Sequence, residues 1–212
     1  MRSMTYLITD ITAHPPVVSV RVLSEDGDGI LLRLTEEKWE EFGLSRGEEI
    51  TEDVFSRIRL ESEKCEAVTK ALSVVSASTV CLKGLERKMF LAGFSEEAVR
   101  YAVDITVKKG YIDEYADAAR IAENEALKKR RGPVRIKREL MAKGYGASVA
   151  SEAASSVSRE IYAEALEKEL AKRCPDGVPE SRYEREKLAA ALMRQGFTSA
   201  AVLKAIERSN KY

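Results

Sequence analysis

The sequence is poor in the side chains that most catalytic and secreted domains rely on. Histidine occurs once, at His14, beside Pro15 and Pro16. A Ser-His or Cys-His nucleophile system there has no partner motif, so His14 reads as a turn or surface residue. Three cysteines, Cys65, Cys81 and Cys174, are odd in number and far apart. That spacing offers neither a disulfide framework nor a CxxC metal knuckle, and the cysteines read as small core hydrophobes. Neither a GxxxxGK[ST] nor a GxGxxG loop is present. Asp26 and Asp28 lie in one acidic turn but lack the other ligands and the closing glutamate of a calcium loop. No pair of carboxylates stands out, so no catalytic residue, cofactor or metal is expected. Charge of one sign is missing too. Lys+Arg and Asp+Glu each total 35, a balance that favours protein partners over bare nucleic acid. No apolar run approaches the roughly 20 residues that cross a bilayer. The first residues also lack the apolar stretch of a secretory signal. A cytoplasmic protein without membrane contact is the expectation.

What is present points to helices. The 212 residues are 44% hydrophobic and 33% charged, enough for one large domain or two modest ones. The first fifty or so differ from the rest. Val17–Leu23 and Ile30–Leu34 flank a glycine- and aspartate-rich stretch, Ser24–Gly29, which predicts a hairpin. Tyr6–Thr12 predicts a third strand ended by Pro15 and Pro16. Thr35 is placed to cap a short helix that buries Trp39 and Phe42 and stops at Gly43. From Glu52 to Val75 nothing breaks a helix. Val54, Ile58, Cys65, Val68, Leu72 and Val75 recur at spacings expected of one buried stripe.

The remainder repeats. Met89–Phe94, Leu140–Tyr145 and Leu192–Phe197 each close a helix with apolar residues, then place a glycine and an aromatic before a new helix. The glycines, Gly93, Gly144 and Gly196, are almost evenly spaced and suit the left-handed position that ends a helix. A period near fifty predicts three three-helix units. Asp113–Leu127 and Arg159–Lys172 are the clearest first helices, with Asp113 as an N-cap. Cys174–Ser181 reads as a loop. Gly146–Ser158, rich in small residues, is compatible with a linker. A thin, closely packed helix burying Val149, Ala153 and Val157 is the preferred reading.

Gly110-Tyr-Ile-Asp113, Tyr115-Ala116 and Arg131-Gly-Pro-Val-Arg-Ile-Lys-Arg-Glu-Leu-Met-Ala-Lys-Gly-Tyr145 resemble the middle of the RecX family of regulatory proteins. Gly132, Arg135, Ile136, Glu139, Leu140, Lys143 and Gly144 fall on that family's pattern. The architecture resembles the family over roughly the last 150 residues. The N-terminal part, including Leu44–Ile50, is similar to an extension found on some members. The first unit departs from the pattern: Cys81–Met89 keeps Leu85 and Lys88 but lacks the family's serine and glutamate. Gly84 there weakens its helix by about 1 kcal/mol relative to alanine. The resemblance implies a protein that binds RecA–DNA filaments, lies along the filament groove, restrains recombinase activity and promotes disassembly. A curved array of helical repeats would supply an extended surface for that.

The most charged segment is Lys128-Lys-Arg-Arg131, continued by Arg135, Lys137 and Arg138. Cations at a helix C-terminus are often only a solvated end. With the family resemblance, Arg130, Arg131, Arg135, Lys137, Arg138 and Lys143 become the expected partner-binding residues. A helix-turn-helix reader of DNA is disfavoured, because the post-glycine helices begin Ser95-Glu-Glu, Ala147-Ser-Val and Thr198-Ser-Ala, with no arginine for base edges. Nonspecific DNA contact stays open as the alternative function, and a general repeat scaffold is third. The expectation is a mainly α protein: three tandem three-helix repeats at 63–112, 113–158 and 159–212, after a small N-terminal α+β module at 1–62. It would act as a monomer on a RecA filament, without catalysis of its own.

Overall fold

The computed structural model describes residues 5–209, and the outer ends of the first and last expected segments lie outside the described residues. The described chain is mainly helical, with a small antiparallel sheet at its N-terminal end. It divides into two compact units. One runs up to Val80 and adds Leu85–Ile112; the other combines Cys81–Gly84 with everything from Asp113 onward.

The sheet of the first unit comprises β1 (Thr5–His14), β2 (Val17–Ser24), β3 (Gly29–Thr35) and β4 (Glu49–Thr51), in the order β3-β2-β1-β4. Alternation decides which face is buried. Ile8, Val18, Val20, Val22, Leu32 and Leu34 point inward, and β4 adds Ile50. Pro15 and Pro16 do not end a strand against empty space. They form the turn of a second hairpin in which His14 pairs with Val17, leaving His14 exposed. The short β4 was not anticipated, because three residues carry no readable period. It pairs Tyr6 with Ile50 along the free edge of β1. Helix α1 (Glu36–Phe42) is capped as expected. Thr35 accepts from the Lys38 amide, Trp39 is buried, and Gly43 closes the helix with φ 63°.

Helix α2 (Glu52–Ala77) is continuous, as its lack of breakers predicts, but its buried stripe is not the expected one. Phe55, Ile58, Ser62, Ala67 and Ala71 are buried, whereas Val54, Cys65, Val68, Leu72 and Val75 are only half-buried. The helix serves two neighbours in succession. Its first half packs on the sheet, where Phe55 stacks on Tyr6 with centroids 3.9 Å apart. There Ser62 Oγ also accepts a hydrogen bond from the Arg33 amide at 2.8 Å. Its second half meets α4 (Glu96–Lys108), and Ala67 and Ala71 of α2 and Ala98 and Ala102 of α4 are all fully buried. Small side chains set this contact, and a hydrophobicity pattern does not weight them. Glu63 holds the start of α4 by accepting from both the Ser95 amide (2.6 Å) and its hydroxyl (2.8 Å). Helix α3 (Leu82–Leu91) forms despite Gly84 and buries Leu85 and Met89.

The second unit holds two further helical triplets: α5 (Glu114–Lys129), α6 (Pro133–Ala142) and α7 (Ala147–Ser156), then α8 (Arg159–Arg173), α9 (Arg182–Arg194) and α10 (Ser199–Ser209). With α2–α4 they make three three-helix repeats, each with its middle helix closed by a glycine. Gly93, Gly144 and Gly196 have φ of 91°, 102° and 95°, which L side chains rarely adopt. The small-residue segment is a helix. Val149, Ala150, Ala153, Ala154 and Val157 are buried against Ala118, Ala122 and Ala126 of α5. Cys81 is buried in the same cluster.

Candidate functional site

The expected partner-binding residues run from the turn between α5 and α6 along α6 to Lys143, the residue that caps its end. Lys128 and Lys129 occupy the last turn of α5. Arg130 follows in the left-handed region at φ 52°, the one non-glycine residue with positive φ among the described residues. Its amide donates to the Glu125 carbonyl and so closes the helix. An L residue there costs about 1–2 kcal/mol, so arginine stands where glycine would fit better. Backbone strain of this kind concentrates at functional positions.

The arginines then separate into two groups. Arg131 and Arg135 are bound inside the protein. Arg131 donates to Glu125 at 2.5 Å and also pairs with Glu139, while Lys129 reaches Glu125 from the other side at 2.8 Å. Arg135 bonds Glu139 at 2.8 Å and the side chain of Gln195, the residue that caps α9, at 2.7 Å. Burial alone pushes the Glu125 carboxyl upward. The Lys129 hydrogen bond and the nearby cations outweigh it and hold the group below the usual carboxylate range. These two arginines therefore tie helix ends together.

Arg130, Arg138 and Lys143 form no ion pair among the described residues, and Lys137 makes only a long hydrogen bond to Ser151 at 3.3 Å. Lys137 and Arg138 share the exposed face of α6 with Val134 and Met141, 60% and 47% exposed, at helical spacings of three, four and seven. Sequence reasoning picked out the cations and missed these apolar neighbours. The face continues into an open cleft of about 660 Å³ shared with α9, lined by Arg138, Met193 and Arg194. A signal for the apolar positions was available. In each repeat the residue four before the glycine is buried (Met89, Leu140, Leu192) and the residue three before it is exposed (Phe90, Met141, Met193).

The glycines also explain how the second unit is assembled. At Gly196 the end of α9 receives the start of α6: the amides of Gly132 and Val134 donate to the carbonyls of Gln195 and Gly196, at 2.9 and 3.1 Å. The negative end of one helix thus meets the positive end of another. The approach is so close that a Cβ on Gly132 would lie 2.2 Å from the Gly196 carbonyl carbon. Near Gly144, Cys81, which belongs to this second unit, donates its Sγ hydrogen to the Lys143 carbonyl at 3.2 Å. There the Leu82 amide is capped by the Glu114 carboxylate at 2.8 Å.

No family model matches the chain. Among curated proteins, a regulatory protein RecX of Caldanaerobacter subterraneus is 30% identical over 166 residues, covering 77% of this chain and 81% of that protein. The chain belongs to the RecX family. A regulatory protein RecX of Leuconostoc mesenteroides is 27% identical over 158 residues, 74% of this chain. That match spans 59% of the relative's length, less than two thirds. Two crystal structures share the fold. One, of a regulatory protein RecX, has a TM-score of 0.75 at 22% identity and covers 96% of this chain and 99% of its own. The other, RecX from Lactobacillus salivarius, has a TM-score of 0.63 at 19% identity and covers 71% and 98%. This RecX-family chain is thus a relative of proteins named as regulators. No helix among its described residues is long and apolar enough to cross a membrane.

Proposed function

We propose that this RecX-family protein binds a RecA filament through the outer face of α6 and restrains the recombinase without catalysis of its own. The three helical repeats would act as successive contact units, at 63–112, 113–158 and 159–212, after a strand-rich N-terminal module at 1–62. The observation that carries the reading is the mixed character of the α6 face. Two cations, Lys137 and Arg138, stand between Val134 and Met141, both well exposed. Met and Arg are enriched in protein interfaces, where a partner covers the apolar part and supplies acidic groups at its rim. A surface made only to neutralise phosphates has no use for exposed valine and methionine. This favours the protein partner over nonspecific DNA binding.

The test titrates the protein into RecA turning over ATP on single-stranded DNA. The comparison variant replaces Arg130, Lys137, Arg138 and Lys143 with glutamate and leaves Arg131 and Arg135, which hold the fold, untouched. The expected result is inhibition by the wild type that the variant loses while it still melts like the wild type. Unchanged RecA turnover and filament lifetime, with DNA binding intact and falling steeply with salt, would replace this reading with DNA binding.

A further inference from the structure

We propose that the groove between α8 and α10 is a docking site for a short, acidic, amphipathic helix of a partner protein. Pro133, the first residue of α6, also lines the groove, whereas Val134, Lys137, Arg138 and Met141 of the α6 face do not. The groove encloses about 770 Å³, within the range of built ligand pockets rather than packing defects. Its floor is Leu166 and Phe197, and its sides are Ala163, Ala201 and Ala205. Small side chains on both walls let another helix approach closely.

The preceding repeat fills the corresponding positions differently, residue by residue. Counting from Gly144 to Gly196, Val149 corresponds to Ala201 and Val157 to Ser209. Val149 and Val157 are buried and close α7 onto α5, whereas Ala201 and Ser209 are exposed. On the facing helix the buried, ion-paired Glu125 and Glu169 align the two repeats, which sets Ala118 against Tyr162. Tyr162 is not free to collapse inward, because its hydroxyl donates to the Ala154 carbonyl at 2.7 Å. The third repeat therefore keeps open a space that the second fills with its own side chains.

The rim identifies the occupant. Arg159, Lys204 and Arg208 surround the groove, against one carboxylate, Glu167. None of the three cations forms an ion pair among the described residues, although ten of the thirteen ion pairs found there link residues three or four apart. Lys204 and Arg208 are one turn apart on α10, so they match carboxylates one turn apart on a facing helix. From Arg159 to Glu167 the groove runs about 12 Å, two to three helical turns. An apolar floor with a cationic rim suits a helix whose anchors fall at i, i+3, i+4 and i+7 and whose flanks are acidic.

The probe is a fluorescein-labelled synthetic peptide of about three turns, with leucine at those positions and glutamate elsewhere. A second peptide carries lysine in place of glutamate. Fluorescence anisotropy with the full chain should show saturable binding of the acidic peptide only. Lys204→Glu with Arg208→Glu, both on the surface, should weaken it by about tenfold. Ala201→Trp should block the groove and abolish binding. Melting curves matching the wild type would show that the variants are folded. The proposal is overturned by no binding up to about 1 mM acidic peptide, by equal binding of both peptides, or by variants that bind as wild type does. Self-association of the chain that the charge reversal abolishes would instead assign the groove to a second copy. Because the readout is peptide binding, it is independent of whether RecA is the partner of α6.

Discussion

Replacing Gly132 with alanine tests how the repeats of the second unit are joined. The backbone is not the obstacle, since Gly132 has φ −80° and ψ 165°, which any residue adopts. On that ground alone alanine would stabilise by about 0.4–1 kcal/mol through the unfolded state. The obstacle is contact. The added Cβ would sit 2.2 Å from the Gly196 carbonyl carbon, 2.3 Å from its oxygen and 2.3 Å from the Phe197 nitrogen. All three are backbone atoms, so no rotamer change relieves the clash, and α6 must move away from α9. That movement breaks the hydrogen bonds from Gly132 and Val134 to the end of α9, worth about 1 kcal/mol each. Crowding in a packed region adds about 1–3 kcal/mol. The net expectation is a loss of about 3 kcal/mol, a fall in Tm on the order of 10 °C for a chain of this size. Urea unfolding and calorimetry read it directly. Gly29→Ala is the control, because its Cβ meets nothing within 4 Å; it should change stability by less than about 0.5 kcal/mol. If Gly132→Ala were equally silent, the head-to-tail junction would not hold the repeats together.

Three other outcomes follow from the same geometry. Arg130→Gly removes the strain at φ 52° and should raise stability by up to about 1 kcal/mol; a loss of stability would refute the strain argument. Glu125 has its folded pKa held below the usual carboxylate value. Its contribution is therefore fully present above the unfolded value and lost as pH falls through the folded one. The stability gap between wild type and Glu125→Gln should shrink as the pH is lowered from about 6 to about 3, and a gap that does not change with pH would contradict the assignment. Glu63→Ala frees the Ser95 amide and hydroxyl. It should cost about 1 kcal/mol and speed hydrogen exchange in the first turn of α4, and unchanged exchange there would refute the cap.

Much of the molecule was readable along the chain, because the signals are local. Thr35, Ser95 and Asp113 accept from the third amide ahead, and Gly93, Gly144 and Gly196 adopt positive φ. Those interactions span a few residues, so residue type and spacing are enough to place them. The basic segment was equally visible as charge. Its division was not, because whether an arginine is spent or available depends on partners far away in sequence. Arg135 meets Gln195 sixty residues on, at 2.7 Å. The buried stripe of α2 was misread for a related reason. Ala67 and Ala71 are buried because α4 approaches them there, not because they are strongly apolar.

The sequence by itself determined the helices, their ends and the threefold repetition, since a period and a cap are properties of neighbouring residues. Only the tertiary structure decided which cations remain exposed, why Gly132 cannot bear a side chain, and where the last repeat stays open. Each of these depends on what a residue meets across space. Close packing turns a difference of two methyl groups, such as Val149 against Ala201, into a buried contact in one repeat and an exposed wall in the next.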